Sequence, residues 1–157
     1  RAELLDESLE ILTRAWSGEP FRFDGAHYRT AEMTMRPPSR QQPRIPIWVV
    51  AVWPRPKSVD RALRYDGIIP QVAGEGGGPG RVTPGQVRAI AELARARRPD
   101  GEPFEIVIGD VSPADAAAAR VVVQPLADAG ATWWIESPWM DATVGSLRER
   151  IGAGPPR

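Results

Sequence analysis

Cysteine is absent from this 157-residue chain, and histidine occurs once, at His27. The first absence excludes disulfides, thiolate metal sites and a cysteine nucleophile. The second argues against a histidine-based metal cluster and a Ser-His-Asp triad, so no metal is expected. An excess of one charge is missing too: 20 Lys and Arg balance 20 Asp and Glu. A neutral chain offers no electrostatic footprint for nucleic acid or an anionic membrane surface. No apolar run approaches the roughly 18 residues of a membrane span. No signal peptide is visible, which leaves the cytoplasm as the default location. What is present is an ordinary globular composition, 42% apolar and 25% charged, over a length that suits one domain spanning 1–157.

The spacing of apolar residues sorts the chain into elements. Leu5, Leu9, Leu12 and Trp16 recur at intervals of four and three, which predicts an amphipathic helix over 2–16. Glu3 and Glu7 read as its solvated face. In "FRFDGAHYRT" two aromatic-bearing runs flank Asp24-Gly25, a hairpin signal because both central turn positions favour φ > 0. His27 on that hairpin reads as a surface or packing residue. Residues 36–46 form a proline-punctuated connector. Beyond it, strands are expected over 45–52, 67–72, 104–110 and 131–137, with helices near 58–65, 84–97, 112–129 and 143–152. Thr83-Pro84-Gly85-Gln86 carries a cap, a first-turn proline and a capping-box glutamine, and Ser112-Pro113-Ala114-Asp115 repeats the logic. The glycine cluster over 74–80 lacks a following Lys-Ser/Thr and reads as a mobile surface loop, not a phosphate cradle.

Alternating strands and helices imply an α/β fold with parallel strands and right-handed crossovers. The run "IPIWVVAV" reads as a strand covered on both faces. Two architectures fit: an open doubly wound sheet, or part of a (β/α)8 barrel. In both, ligands collect beyond the carboxyl ends of the strands. Those ends present Trp53, Arg55, Lys57 and Ser58 after the first strand, Gln71 after the second, Asp110 after the third, and Glu136, Ser137 and Trp139 at the fourth. Arg55 and Lys57 precede a helix start and suit a phosphate or other anion. Trp133 and Trp134 must face opposite sides of their strand, so one lines the site side and the other packs beneath helices. Glu136 and Asp110 are the candidate proton-handling groups.

Four segments taken together, "RAELLDESLEILTRAWSGEPFRFDGAHY", "PRIPIWVVAVWPRP", "RALRYDGIIP" and "AGATWWIES", resemble the luciferase-like flavin-dependent oxidoreductases. The resemblance implies a (β/α)8 TIM barrel that binds FMN or the deazaflavin F420 at the carboxyl ends of its strands. It aligns this chain with the carboxyl-terminal half, strands five to eight with their helices, and makes 21–35 the hairpin insertion that precedes strand five. In the family, strand five ends in a Gly-Gly-type turn that holds the cofactor phosphate. The matching positions here are Ala51 and Val52, followed by Trp53, so Arg55 is expected to serve the phosphate with its side chain. Gln71, Trp133, Trp134 and Trp139 are expected to border the ring or substrate.

The resemblance implies an oxidoreductase, monooxygenase-like, acting with reduced FMN or F420 on a small organic substrate. Without strands one to four the chain is expected to be an incomplete, inactive portion, completed by a missing amino-terminal half-barrel or by a second copy in a homodimer. The competing reading is a non-catalytic, dimerising half-barrel with at most a small-anion site.

Overall fold

The computed structural model describes residues 1–99, 101–138 and 142–155. They divide into two compact units, 1–46 and 47–157.

In the first unit, helix α1 (Ala2–Trp16) precedes an antiparallel pair, β1 (Phe21–Asp24) and β2 (Arg29–Met33). Ala15, Phe21 and Phe23 form its small core, with Ile11 packed against them. The expected hairpin is present, but its turn differs. Asp24 pairs with Arg29, so four residues form the loop, closed by Gly25 N–H donating to Tyr28 O at 2.9 Å. Neither Asp24 nor Gly25 has positive φ. The reason lies on α1. The Glu7 carboxylate accepts from the backbone N–H groups of Ala26 (2.9 Å), His27 (3.0 Å) and Tyr28 (2.8 Å). Gly25 makes that approach possible, since a Cβ there would lie 2.5 Å from a Glu7 oxygen. Glu7 is therefore the anchor of the hairpin loop, not an ordinary solvated helix residue. Glu3 joins it through the His27 ring at 3.1 Å.

The second unit is a mixed α/β layer structure. Strands β3 (Trp48–Val52), β4 (Gly67–Ala73), β6 (Glu105–Asp110) and β7 (Trp133–Glu136) run parallel in that order. Helices α2 (Pro56–Leu63), α3 (Pro84–Arg97) and α4 (Ala116–Asp128) make the crossovers, and α5 (Val144–Ala153) follows β7. The strand order equals the chain order. A doubly wound sheet reverses at a switch point, whereas a barrel sheet adds each strand beside the last. The four strands follow the second rule.

Register separates the two faces. Val49, Ala51, Ile68, Val72, Ile106 and Ile108 share one face and are buried beneath the helices. Trp48, Val50, Val52, Ile69, Trp133 and Ile135 share the other. On that second face Val50 is 56% and Trp133 50% exposed. The expectation of a β3 covered on both sides is thus half met: the helices cover one face, while on the other Val107 is buried but Val50 and Trp133 remain exposed. The sheet is curled. Trp48 and Trp133 stand three strand spacings apart, a contour of about 14 Å, yet their rings lie 5.2 Å centroid to centroid. Their shared face is the concave one. Gly67 lets them meet, because a Cβ there would strike Trp48 Cδ1 and Glu105 Cβ at 2.8 Å.

Two local expectations change. The 74–80 segment is an organised turn: Gly74 N–H donates to Gly78 O at 2.7 Å, and β5 (Pro79–Gly80) folds back antiparallel on Val72 and Ala73. Gly76 and Gly77 supply the positive φ values that the reversal requires. Asp115, not Ser112, caps α4, accepting from Ala118 N–H at 2.8 Å. Thr83 and Thr143 both close complete capping boxes, with Gln86 and Ser146.

Candidate active site

Parallel strands aim their carboxyl ends, and the loops that follow, at one edge of the sheet. That edge gathers Val52, Gln71, Asp110 and Glu136. Over the ends of β4, β6 and β7 lies a cavity of about 700 Å³. Its floor is Pro70, Ile108 and Gly109. Its walls are the returning 79–82 segment and the 137–138 loop, and Ala142 and Ser146 lie at the start of α5. Gln71 and Asp110 both line it, which brings two of the sequence candidates together. Asp110 Oδ1 accepts from Val111 N–H at 2.8 Å, and Oδ2 meets Arg81 Nε at 3.2 Å. Arg81 was invisible as a site residue in the sequence, since it sits in the loop after the glycine cluster. Only the β5 fold-back carries it over the strand ends.

The β3 end is a separate corner. Trp53 N–H donates to Gln71 O at 2.8 Å, and Arg55 N–H donates to Val52 O at 2.9 Å, tightening the loop into α2. Arg55 is the residue before the helix, with extended backbone, and Pro56 occupies the first turn. The Arg55 and Lys57 side chains are exposed. Ala51 is fully buried on the helix side of the sheet. Val52 N–H is already committed to Ser58 Oγ at 2.9 Å. A phosphate at this corner would therefore find side-chain cations, not the backbone cradle that a Gly-Gly turn offers. The donor set fits an anion through Arg55 and Lys57 and does not fit backbone binding at Ala51 and Val52.

The two adjacent indoles split as alternation requires. Trp133 faces the concave side, where it meets Trp48. Trp134 lies on the helix side and donates its Nε1–H to Glu136 Oε2 at 2.9 Å. This places Trp134 away from the concave face that a ring-lining residue would occupy. Trp139 lies outside the described residues.

Glu136 also faces the helix side and is saturated. It accepts from Ser112 N–H (2.7 Å), Ser112 Oγ (2.8 Å), Trp134 and Arg150 Nη2 (3.2 Å). Ser112 is buried and takes a further bond from Arg150 at 2.9 Å. Partial burial works to raise the Glu136 pKa, but the Trp134, Ser112 and Arg150 donors outweigh it and hold the carboxyl below its usual range. A carboxylate locked in its ionised form by four donors is a clasp between β7, the β6–α4 loop and α5. It is a poor general acid. The sequence held no periodic signal for this cluster, whose members are 2 to 38 residues apart.

The opposite edge of the sheet is built for stability. Arg98 donates to Leu63 O (2.7 Å) at the end of α2 and to Tyr65 O (2.6 Å) just beyond it, and stacks 5.0 Å from the Phe104 ring. The amino-terminal face of a barrel sheet has this role.

A sequence profile of luciferase-like monooxygenases matches residues 1–152. The chain belongs to that family. Its members are oxidoreductases of the flavin or F420 type and act on small substrates. No curated protein matches the chain. Among the described residues, no helix of the luciferase-like chain is long and apolar enough to cross a membrane, and no cluster of metal-ligating side chains occurs.

Proposed function

We propose that the chain forms part of an oxidoreductase that uses reduced FMN or F420 on a small organic substrate, with the cofactor at the carboxyl edge of β3, β4, β6 and β7. The observation that carries this reading is the coincidence of family membership with an open cavity at that edge. The flavin, when bound, supplies the hydride or the electrons that activate oxygen. The chain's own residues hold and shield. Arg55 and Lys57 would bind the cofactor phosphate, as exposed cations at the α2 amino terminus, Arg55 at its cap and Lys57 in its first turn. Gln71 would offer its amide at the cavity wall, and Trp53 and Trp133 would present flat apolar surface. Asp110 is the proton-handling candidate that the geometry favours over Glu136, because one of its oxygens faces only an exposed arginine.

The test is a titration of the protein with FMN and with F420, each repeated on Arg55→Ala. Binding of one cofactor is expected, weakened about ten- to a hundredfold in the variant, the loss of a charge-assisted bond. Absence of binding of either cofactor would sink the reading.

A second reading is favoured by the partly exposed concave face: a half-barrel of strands five to eight that becomes complete only against another half. Val50 and Trp133 are exposed there, and Trp48 Nε1 is buried with no acceptor among the described residues. In this reading the chain alone binds at most a small anion, and pairing with a second copy or with an amino-terminal half precedes any turnover.

A further inference from the structure

We propose that the cavity over β4, β6 and β7 receives an organic anion, a carboxylate on an apolar body, and that Arg81 is the residue that selects it. The inference rests on the oxidoreductase reading for its place in the reaction, and adds the substrate class. Among the described residues that line the cavity, Arg81 is the sole cation and Asp110 the sole anion. Their contact is single: Nε to Oδ2 at 3.2 Å, with the Arg81 side chain 70% exposed. Both Nη groups of Arg81 make no bond to any described residue. A guanidinium prefers to hold a carboxylate with two parallel N–H donors. Asp110 does not hold it that way: its other oxygen accepts from Val111 N–H, and only Oδ2 meets the guanidinium. The pair is therefore a weak, solvent-screened one. An incoming carboxylate that offers both oxygens would take Arg81 from it. The remaining lining fits the other end of such a molecule: Pro70, Pro79, Val82, Ile108 and Val111 are apolar. Gly109, whose added Cβ would lie 3.2 Å from Ser137 Oγ, keeps the floor open. Asp110 then acts as a stand-in for the ligand, holding Arg81 over the cavity until it is displaced.

The test is calorimetric titration of the whole chain with octanoate and with octanamide, which has the same length and no charge. Octanoate is expected to bind at least tenfold more tightly. Arg81→Gln should abolish that preference, and Asp110→Asn should strengthen octanoate binding by removing the internal competitor, an effect that a purely structural Asp110 would not give. Arg81 is exposed, so its variant should keep the parent circular dichroism and melting curve. Equal binding of the two probes, no binding of octanoate at millimolar concentration, or an unchanged Arg81→Gln overturns the proposal. Displacement of octanoate by inorganic phosphate with the same Arg81 dependence also overturns it, and makes the cavity a phosphate seat. Parallel titration with FMN and F420 separates the two levels. Cofactor binding without octanoate selectivity defeats only the substrate class, whereas selectivity without cofactor binding defeats the redox reading.

Discussion

Gly67 and Glu136 show how single residues set the curvature and the clasp of the sheet. At Gly67 an added methyl would stand 2.7 Å from Glu105 O and 2.8 Å from Trp48 Cδ1. The first obstacle is backbone and cannot swing aside. Gly67→Ala is expected to cost about 1–3 kcal/mol, the range for overpacking, and to separate the Trp48–Trp133 pair. Urea unfolding followed by tryptophan fluorescence reads both effects. Glu136 acts through hydrogen bonds instead. Removing its carboxylate strands buried Ser112 and the guanidinium of Arg150, whose Nε has no partner among the described residues. Glu136→Ala should therefore cost about 1–3 kcal/mol. The pH dependence has a definite sign. The folded-state pKa lies below the ordinary 4.5, so the contribution is fully present above that pH. It is lost as pH falls through the depressed value. Stability of the parent should drop over that acid window more steeply than that of Glu136→Gln, measured as urea midpoints at a series of pH values. Parallel curves would show that the clasp contributes nothing.

At the scale of elements, the α1–hairpin unit is held by one carboxylate collecting three backbone N–H groups. Glu7 also has a lowered pKa: desolvation opposes the shift, but the Tyr28, His27 and Ala26 bonds prevail, assisted by the His27 charge. The loop order it confers should be complete above pH 4.5 and fade below it as the carboxyl protonates. The amide signals of Ala26, His27 and Tyr28 should move together in an acid NMR titration, and Glu7→Gln should shift them at neutral pH. Independent movement of the three would disprove a shared acceptor. These elements also show what sequence can carry. The strands and helices of 47–157 were legible because their signals are local: apolar runs of strand length, Thr caps, and glycines where αL geometry is needed. The turn at Asp24-Gly25 was misjudged because a residue 17 positions upstream decides it. Ser112 was misjudged for the same reason, since the carboxylate that claims it lies 24 residues on. Arg55, Gln71 and Asp110 were legible as site candidates because strand ends are local features. Arg81 was not, because the β5 fold-back that delivers it is a tertiary event.

For the whole molecule, the decisive feature is a curled parallel sheet with one face left partly exposed. β3 pairs only with β4, and β7 only with β6, so among the described residues both outer edges of the sheet are unpaired. The concave face between them carries Val50, Val52, Trp133 and Ile135, all at least 37% exposed. A contiguous apolar surface between two open edges is an association surface. Sequential strand order gives it geometry: β7 of one body can continue into the first strand of another, as a closed barrel requires. Alone, the chain is expected to pair with a second copy at micromolar concentration, with a sedimentation mass near twice 17.2 kDa. Val50→Lys with Ile135→Lys should return it to a monomer. Both residues point to the concave side, so the helix-covered core of Val49, Ile68 and Ile106 stays intact and circular dichroism should be retained. The salt response discriminates further. Apolar closure holds or strengthens at high sulfate concentration, whereas pairing through surface charges weakens as salt screens them. A parent chain that is well folded and monomeric at tens of micromolar would show that the concave face is stable in water, and the half-barrel reading would fall with it.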